Sequence, residues 1–228
     1  MGNMWNCIIF DTKIKDGEKL CTLKNKEGTI TYFEDIPEEK FDYLLDDIEK
    51  KAKKEGKTAN EYLDISMRKN IYSKYAEKFE LKFHKHFDGE IYVGKWSRRD
   101  NTPTFWLEGA HNHDVIGKKI QIGAIRVPPG TKSFHMLPDD IPFKANVELK
   151  YNNSFIPKQN TSSFFPKNWD IKRVKEEIAL VYDEMLKSGK SFPYDNNKFF
   201  HLDSTRRFEI QIEFDKLGNL TSAYPKIN

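Results

Sequence analysis

The first 34 residues alternate between short β-rich segments and turn signals. Segments 5–14, 19–24 and 29–33 are rich in apolar and β-branched residues, whereas Asp16-Gly17 and residues 25–28 have the composition of tight turns. This pattern predicts three short strands joined by turns.

Two helices are predicted next. Asp35 is a candidate N-cap with Glu38 at capping-box spacing, and Gly56 ends this helix. The second helix repeats the signature with Thr58 and Glu61. Their apolar stripes are Phe41, Leu44, Leu45 and Ile48, then Leu63, Met67, Ile71 and Tyr75. Side chains at these spacings share one helix face, so we assign both stripes to core packing.

The pattern changes after Phe79 to strands and loops. Phe143–Tyr151 alternates apolar and polar residues at every position, as a half-buried strand does. The best helical stripe covers residues 170–187 and is closed by Gly189, and residues 208–224 form a predicted hairpin.

These elements predict an α+β fold in which antiparallel sheets pack against one long helix. The change of pattern divides the chain into residues 1–79, a β and helical region of unassigned role, and residues 80–228, a second domain. We find no internal repeat and no low-complexity segment.

Composition indicates a folded domain with a polar surface. The 228 residues have a mean hydropathy of −0.74, but 17 Phe, 10 Tyr and 4 Trp argue against disorder. The net charge of +3 is unevenly distributed: residues 1–79 carry 15 basic and 16 acidic residues, which leaves 23 and 19 for residues 80–228. That excess of +4 permits a polyanionic partner without requiring one.

No segment is apolar for long enough to span a membrane, and the N-terminus lacks the basic region of a signal peptide. We therefore expect neither. Cys7 and Cys21 are too few for a disulfide framework, so free thiols are expected.

Four of the six histidines stand in two His-x-His pairs, His84/His86 and His111/His113. On a strand, residues i and i+2 point to one face, so either pair is a candidate metal chelate. Asp114, the nearest carboxylate after the second pair, would face away on a strand. A metal-binding enzyme of cupin type is therefore one hypothesis.

A second hypothesis needs no metal. Cleavage of RNA by its own 2′-hydroxyl requires a base for that proton and an acid for the departing 5′-oxygen. Two histidines suit both tasks because they exchange protons near pH 7. The reaction also needs a donor for the charged phosphorane, and an aromatic face to stack the base.

Several segments in the second domain resemble bacterial EndoU-type endoribonucleases. They are His86–Ile91, Gly109-Ala110-His111, the strand Phe143–Leu149, Ser162–Trp169 with the following helix, and the terminal Ser222-Ala223-Tyr224-Pro225. The resemblance covers roughly residues 84–228 and implies an EndoU/RNase A-like nuclease core. Residues 92–107 would form an inserted hairpin between the two histidines.

The resemblance implies roles for individual residues. His86 and His111 would be the acid/base pair, with His86 as acid and His111 as base by analogy. Ser222 would donate to the phosphate or to the uracil edge, and Tyr224 would stack on or orient the nucleotide.

Further substrate contacts are assigned to His113, Ser163 and Lys167. His84, His113 and His135 are the rival histidines. Animal and viral relatives complete the catalytic set with a lysine, but no lysine stands directly before Phe164-Phe165 here, and we expect no obligatory metal and no cofactor.

The resemblance implies a metal-independent endoribonuclease toxin used in bacterial competition. It would cut single-stranded RNA or tRNA at uridine, forming a 2′,3′-cyclic phosphate, in the cytoplasm of a target cell, and a cognate immunity protein would restrain it. Trp96, flanked by Lys95, Arg98 and Arg99, is a further candidate RNA contact. The metal-binding enzyme and a non-catalytic binding protein stay open as alternatives.

Overall fold

A computed structural model describes residues 8–25, 28, 30–79, 81–97, 102–189 and 197–227. Helices and antiparallel sheets make up this part of the chain, so the predicted α+β class is confirmed. The chain divides into two compact units between Asn70 and Ile71. None of the described helices is long and apolar enough to cross a membrane.

The first unit consists of a three-stranded antiparallel sheet followed by two helices. Its elements are β1 (Ile8–Lys15), β2 (Glu18–Asn25), β3 (Thr31–Pro37), α1 (Glu38–Lys54) and α2 (Ala59–Tyr75), the last of which crosses the division between the units. Its core combines the central strand with both helices through Cys21, Leu23, Phe41, Ile48, Ala59 and Leu63. Cys21 is a buried free thiol, and Cys7 lies outside the described residues.

The two helix starts in this unit differ. Thr58 and Glu61 form the predicted capping box, with the Glu61 amide donating to Thr58 Oγ1 at 3.3 Å and the Thr58 amide donating to Glu61 Oε2 at 2.9 Å. The predicted cap at Asp35 was wrong. Asp35 lies within β3 at a φ of +57° and pairs with Lys13 at 2.6 Å, because pairing with β2 extends the strand to Pro37.

Among the residues that the structure describes, the second unit contains three sheets and two further α-helices. β4 (Glu90–Ser97) and β5 (Thr102–Glu108) form a hairpin. A second sheet holds β6 (Ile120–Val127), β7 (Phe143–Tyr151), β8 (Ser154–Pro157) and β9 (Ser162–Phe164), with β7 pairing to the other three. The third sheet has the order β10 (Lys198–Leu202), β11 (Glu209–Phe214) and β12 (Leu220–Lys226). The helices are α3 (Leu81–Asp88) and α4 (Ile171–Lys187).

The long helix and the last hairpin agree with their predictions. Asp170 caps α4 by accepting from the Arg173 amide at 2.7 Å. The helix packs on β10 and β11, where Ile210 and Ile212 are fully buried. Alternation along β11 and β12 turns Tyr224 to the opposite face of that sheet. This opposite face carries the candidate site.

The helix α3 was not predicted, since strands and loops were expected directly after Phe79. Phe83 and Phe87, four residues apart, are both buried, and their rings stack at 5.5 Å. That spacing belongs to a helix face. His84 and His86 consequently lie on a helix rather than on a strand.

Candidate active site

Two histidines come together where the C-terminus of α3 meets the loop after β5. The last carbonyls of a helix have no partner within it. Here the Ala110 amide donates to the carbonyl of His86 at 3.1 Å, and the His111 amide donates to that of Phe87 at 2.8 Å. The ring centroids of His86 and His111 are 6.0 Å apart. The intervening 24 residues include the β4–β5 hairpin, which accounts for the insertion expected from the sequence.

Gly109 makes this approach possible. Its φ is +69°, and a Cβ atom at this position would lie 1.6 Å from the carbonyl oxygen of His86. Only glycine fits so close to another backbone. The spacing Gly109-Ala110-His111 therefore has a structural cause, which is contact with the end of α3.

His111 is buried and held in one orientation. Its Nδ1 lies 2.8 Å from the carbonyl oxygen of Ser163. A carbonyl can only accept, so Nδ1 carries the proton and Nε2 of the neutral ring keeps its lone pair. Nε2 has no hydrogen-bond partner among the described residues. Burial, assisted by the charge of Lys158, lowers the pKa of His111 to about 3, so the ring is neutral at pH 7.

Tyr224 packs against this ring. The two centroids are 5.0 Å apart with planes inclined by 22°, and the Tyr224 hydroxyl donates to Glu213 Oε1 at 2.5 Å. Gln211 donates to the same hydroxyl at 2.6 Å. Burial and the Glu213 carboxylate raise the pKa of Tyr224. Sequence analysis assigned Tyr224 to the nucleotide; the structure places its ring against His111.

His86 is half-buried between two carboxylates. Its Nδ1 lies 3.9 Å from Glu90 Oε2 and 3.9 Å from Glu108 Oε2. Burial lowers the pKa of His86, and the two carboxylates oppose this shift by favouring the protonated ring. His86 is thus the more easily protonated of the two histidines.

Sequence analysis missed Lys158, which the structure brings to the same site. Its ammonium donates to the Gly109 carbonyl and to Ser162 Oγ, both at 2.9 Å, which leaves a third N–H for a ligand. Burial lowers the pKa of Lys158 to about 8, and its charge lowers the pKa of both histidines. Lys158 stands six residues before Phe164, and no local motif separates it from the other lysines of the chain.

Ser222 lies on the same face of β12 as Tyr224, two residues away. It is 3% exposed, and its Oγ has no hydrogen-bond partner within the described ranges. A buried hydroxyl without a partner is uncommon in folded proteins. Its position beside Tyr224 makes it a donor available to a ligand.

The remaining predicted residues have other contacts. His113 Nε2 lies 2.8 Å from the Trp169 carbonyl, and Lys167 pairs with Asp139 at 2.8 Å. Ser163 contributes its carbonyl to His111. His135 is exposed on a short turn at 134–136. Arg98 and Arg99, together with the side chains of Lys95 and Trp96, lie outside the described residues.

The expected strand geometry for a metal chelate is absent at His84 and His86, because successive alternate residues on a helix point to different sides. Within the ranges the structure describes, no three His, Cys, Asp or Glu side chains are grouped as a metal site. The site instead combines a neutral histidine, a histidine between carboxylates and a partly buried ammonium. Such a set can accept a proton, donate a proton and stabilise an anion.

Neither a protein-family model, nor a curated protein, nor a solved structure matches this chain.

Proposed function

We propose that the second unit is an EndoU-type endoribonuclease with an EndoU/RNase A-like core, cleaving RNA by transesterification through the 2′-hydroxyl. The observation that carries this proposal is the 6.0 Å juxtaposition of His111, a buried ring whose pKa is lowered to about 3, with His86, whose protonated form is favoured by two neighbouring carboxylates. Groups whose surroundings separate their pKa values suit an acid and a base on one substrate.

In this mechanism His111 Nε2 takes the proton of the ribose 2′-hydroxyl. The 2′-oxygen attacks phosphorus, forming the O2′–P bond while the P–O5′ bond breaks. Protonated His86 gives its proton to the departing O5′. The products are a 2′,3′-cyclic phosphate and a 5′-hydroxyl. Cleavage is proposed to be metal-independent because side chains supply the base, the acid and the cation.

The charge that develops on the non-bridging oxygens needs donors. Lys158 has an N–H directed to no described residue, and the Ser222 hydroxyl is unpartnered among them. Preorganised donors of this kind stabilise the transition state most effectively in a site with little water. We assign Lys158 and Ser222 to the phosphate.

The hairpin offers a surface for the base. Tyr92 and Trp106 are cross-strand partners on the face that also carries Glu90 and Glu108, and they are 48% and 71% exposed. RNA-binding proteins hold splayed bases on exposed aromatic rings. This arrangement supports single-stranded RNA or a tRNA loop as substrate. Uridine preference, a toxin role in a target-cell cytoplasm and a cognate immunity protein are proposed with it, from the resemblance.

The test is cleavage of a single-stranded RNA containing one uridine, in the presence of EDTA, with mass spectrometry of the products. We expect fragments ending in a 2′,3′-cyclic phosphate. His111→Ala should abolish them, whereas His113→Ala, two residues away and bonded to the Trp169 carbonyl, should retain cleavage.

Intact RNA with the unmodified chain would contradict the proposal. Cleavage that survives His111→Ala but not His113→Ala would assign the base to His113. Cleavage that is lost in EDTA and restored by zinc would favour the metal-binding alternative.

A further inference from the structure

A second feature of this unit is a cavity of about 290 Å³ beside the root of the β4–β5 hairpin. Three lysines, Lys118, Lys119 and Lys150, line it together with Asn152. The apolar part of the lining is Gly89, Ile91 and Leu149. No residue of this lining is acidic, so its charged side chains are all cationic.

The three lysines are brought together by strand pairing. The Lys150 amide donates to the Lys119 carbonyl at 2.8 Å, directly beside the register pair Ile120 and Leu149. Lys118 precedes Lys119 at the start of β6. All three side chains are exposed at the surface beside the cavity that they line.

Only part of this charge is neutralised by the described residues. Asp88 binds Lys119 at 2.6 Å and also accepts from Asn112 at 2.8 Å. With Lys119 paired in this way, Lys118 and Lys150 are left as the cations of the cavity.

The cavity adjoins the candidate active site through Gly89. The Gly89 amide donates to the His86 carbonyl at 3.1 Å, and Glu90, the next residue, is one of the carboxylates beside His86 Nδ1. A Cβ atom on Gly89 would lie 2.9 Å from Leu149, so the wall between site and cavity is closely packed. His86 and the cavity lining at Gly89 are thus three residues apart along the chain, with this wall between them.

We propose that this cavity holds a backbone phosphate of the RNA strand, outside the linkage that is cleaved. The inference rests on the proposed function, because it requires that an RNA strand is bound at His86. Lys118 and Lys150 bind the anion, and the chain thereby selects RNA longer than a dinucleotide. Phosphate contacts of this type fix the register of a nucleic acid without reading its sequence.

Binding is tested first, without cleavage, using a fluorescent single-stranded RNA that carries 2′-O-methyl groups. The pocket variant is Lys118→Gln/Lys150→Gln. The control is Lys172→Gln/Lys216→Gln, which removes the same charge from two exposed positions on α4 and on the β11–β12 turn. The pocket variant should bind about tenfold more weakly at low salt, and the slope of log affinity against log salt should fall by about 1.4, since each single-strand contact adds roughly 0.7.

Equal weakening in both variants would overturn the proposal, because net charge alone would then explain it. Inorganic phosphate and a mononucleotide are the competing ligands. If the pocket variant loses binding of either one, measured by calorimetry, yet keeps its RNA affinity, the cavity is a free-phosphate site and the RNA assignment is wrong.

Cleavage then separates this inference from the proposed function. With uridylyl-adenosine, the pocket and control variants should match the unmodified chain; with the longer RNA, kcat/KM of the pocket variant should fall about tenfold. If both substrates are cut equally well by all three proteins, the cavity assignment fails and the function stands. If none cuts either substrate but RNA binding still depends on Lys118 and Lys150, the function fails and the phosphate site stands.

Discussion

The second unit contains two buried polar clusters, and they differ in how many hydrogen-bond and ion-pair partners their charged groups have. In the carboxylate network, Glu177 is fully buried and pairs with Arg173 at 2.6 Å. It also accepts from the Ser204 amide at 2.8 Å. The histidine site is composed of His86, His111, Lys158 and Ser222. Here a buried imidazole, a partly buried ammonium and a buried hydroxyl keep donors or acceptors that no described residue occupies.

The network continues into the loop 203–208. Asp203, which is 2% exposed, accepts from the amides of Thr205, Arg207 and Phe208 at 3.0, 2.8 and 3.1 Å. These bonds wrap the loop around one carboxylate, and Glu177 ties the neighbouring Ser204 to α4. Carboxylates that accept from several donors in this way hold one conformation of the loop, although the Nε of Arg173 has no hydrogen-bond partner among the described residues.

This difference distinguishes polar groups buried for stability, which have partners, from polar groups buried in a site that acts on a ligand, which lack them. Burial lowers the pKa of His111 to about 3 and that of Lys158 to about 8, because no carboxylate of a described residue lies at bonding distance to stabilise the protonated form of either residue. Such uncompensated burial costs stability and is typical of sites that act on a ligand. The two clusters should accordingly respond to mutation in opposite ways.

The largest effect is expected for His111→Asn. Loss of the base should lower kcat on a uridine-containing RNA by about 10²–10⁴-fold. The asparagine Nδ2 stands where His111 has Nδ1 and can still donate to the Ser163 carbonyl, so the thermal midpoint should change little. A folded variant that retains full activity would remove His111 from the mechanism and leave the site a structural cluster.

Glu177→Leu should do the reverse. Removing one partner of a buried ion pair costs about 3–5 kcal/mol, measured as the free energy of unfolding in urea. Activity per folded molecule should persist. Glu184→Leu is the control on the same helix, where an exposed pair with Lys187 at 2.8 Å should be worth less than about 1 kcal/mol. Equal losses in the free energy of unfolding for the two variants would show that the buried pair contributes no more to stability than the exposed pair.

Gly109→Ala tests the contact that joins the histidines. The added Cβ would strike the His86 carbonyl, so the loop must move, and the loss should exceed the roughly 1–2 kcal/mol of a left-handed conformation alone. Gly117→Ala, at φ +78° with open space around its Cβ, should show only that smaller cost. The free energies of unfolding of the two variants are compared by chemical denaturation. Similar losses would mean that the Gly109 backbone does not pack tightly against the His86 carbonyl.

Ser222→Ala should have a smaller effect that again separates stability from activity. The hydroxyl has no described partner, so its removal should leave stability unchanged or slightly raised. If Ser222 donates to the substrate, kcat/KM should fall about tenfold, as for a lost hydrogen bond to a charged group. A destabilised variant with normal activity would place Ser222 with the structural polar groups.

The smallest effect is a displacement of the pH profile. Cleavage needs protonated His86, whose pKa lies below its usual value of 6.5, so kcat/KM should decline as the pH rises through that pKa. Glu108→Gln removes a carboxylate that favours the protonated ring and should move this decline to lower pH. Glu209→Gln, an exposed partner of Lys226, should leave it in place. If the pH profile of Glu108→Gln is unchanged, His86 is not the group whose deprotonation causes the decline in kcat/KM.

Sequence reasoning recovered the elements whose periodicity is local. The strand Phe143–Tyr151 and the helix Ile171–Lys187 lie within a residue of their predicted bounds, because alternation and 3–4 spacing directly reflect which face is buried. The helix Leu81–Asp88 was missed because its apolar face consists of two phenylalanines, and two positions are too few to show a helical period among histidines and lysines. The prediction of Asp35 as a cap was wrong because pairing of β3 with β2 stabilises the extended strand more than the capping-box spacing favours a helix start.

The sequence by itself determined the fold class and drew attention to the histidine pairs, since residue types and their spacing are local properties, whereas Ser222 and Tyr224 were singled out by the resemblance to EndoU-type endoribonucleases. Only the tertiary structure added Lys158, turned Tyr224 toward His111 and joined His113 to the Trp169 carbonyl. These contacts link segments far apart in the chain. Their physical cause is the backbone geometry around Gly109 and the pairing of β7 with β9, which no short motif encodes.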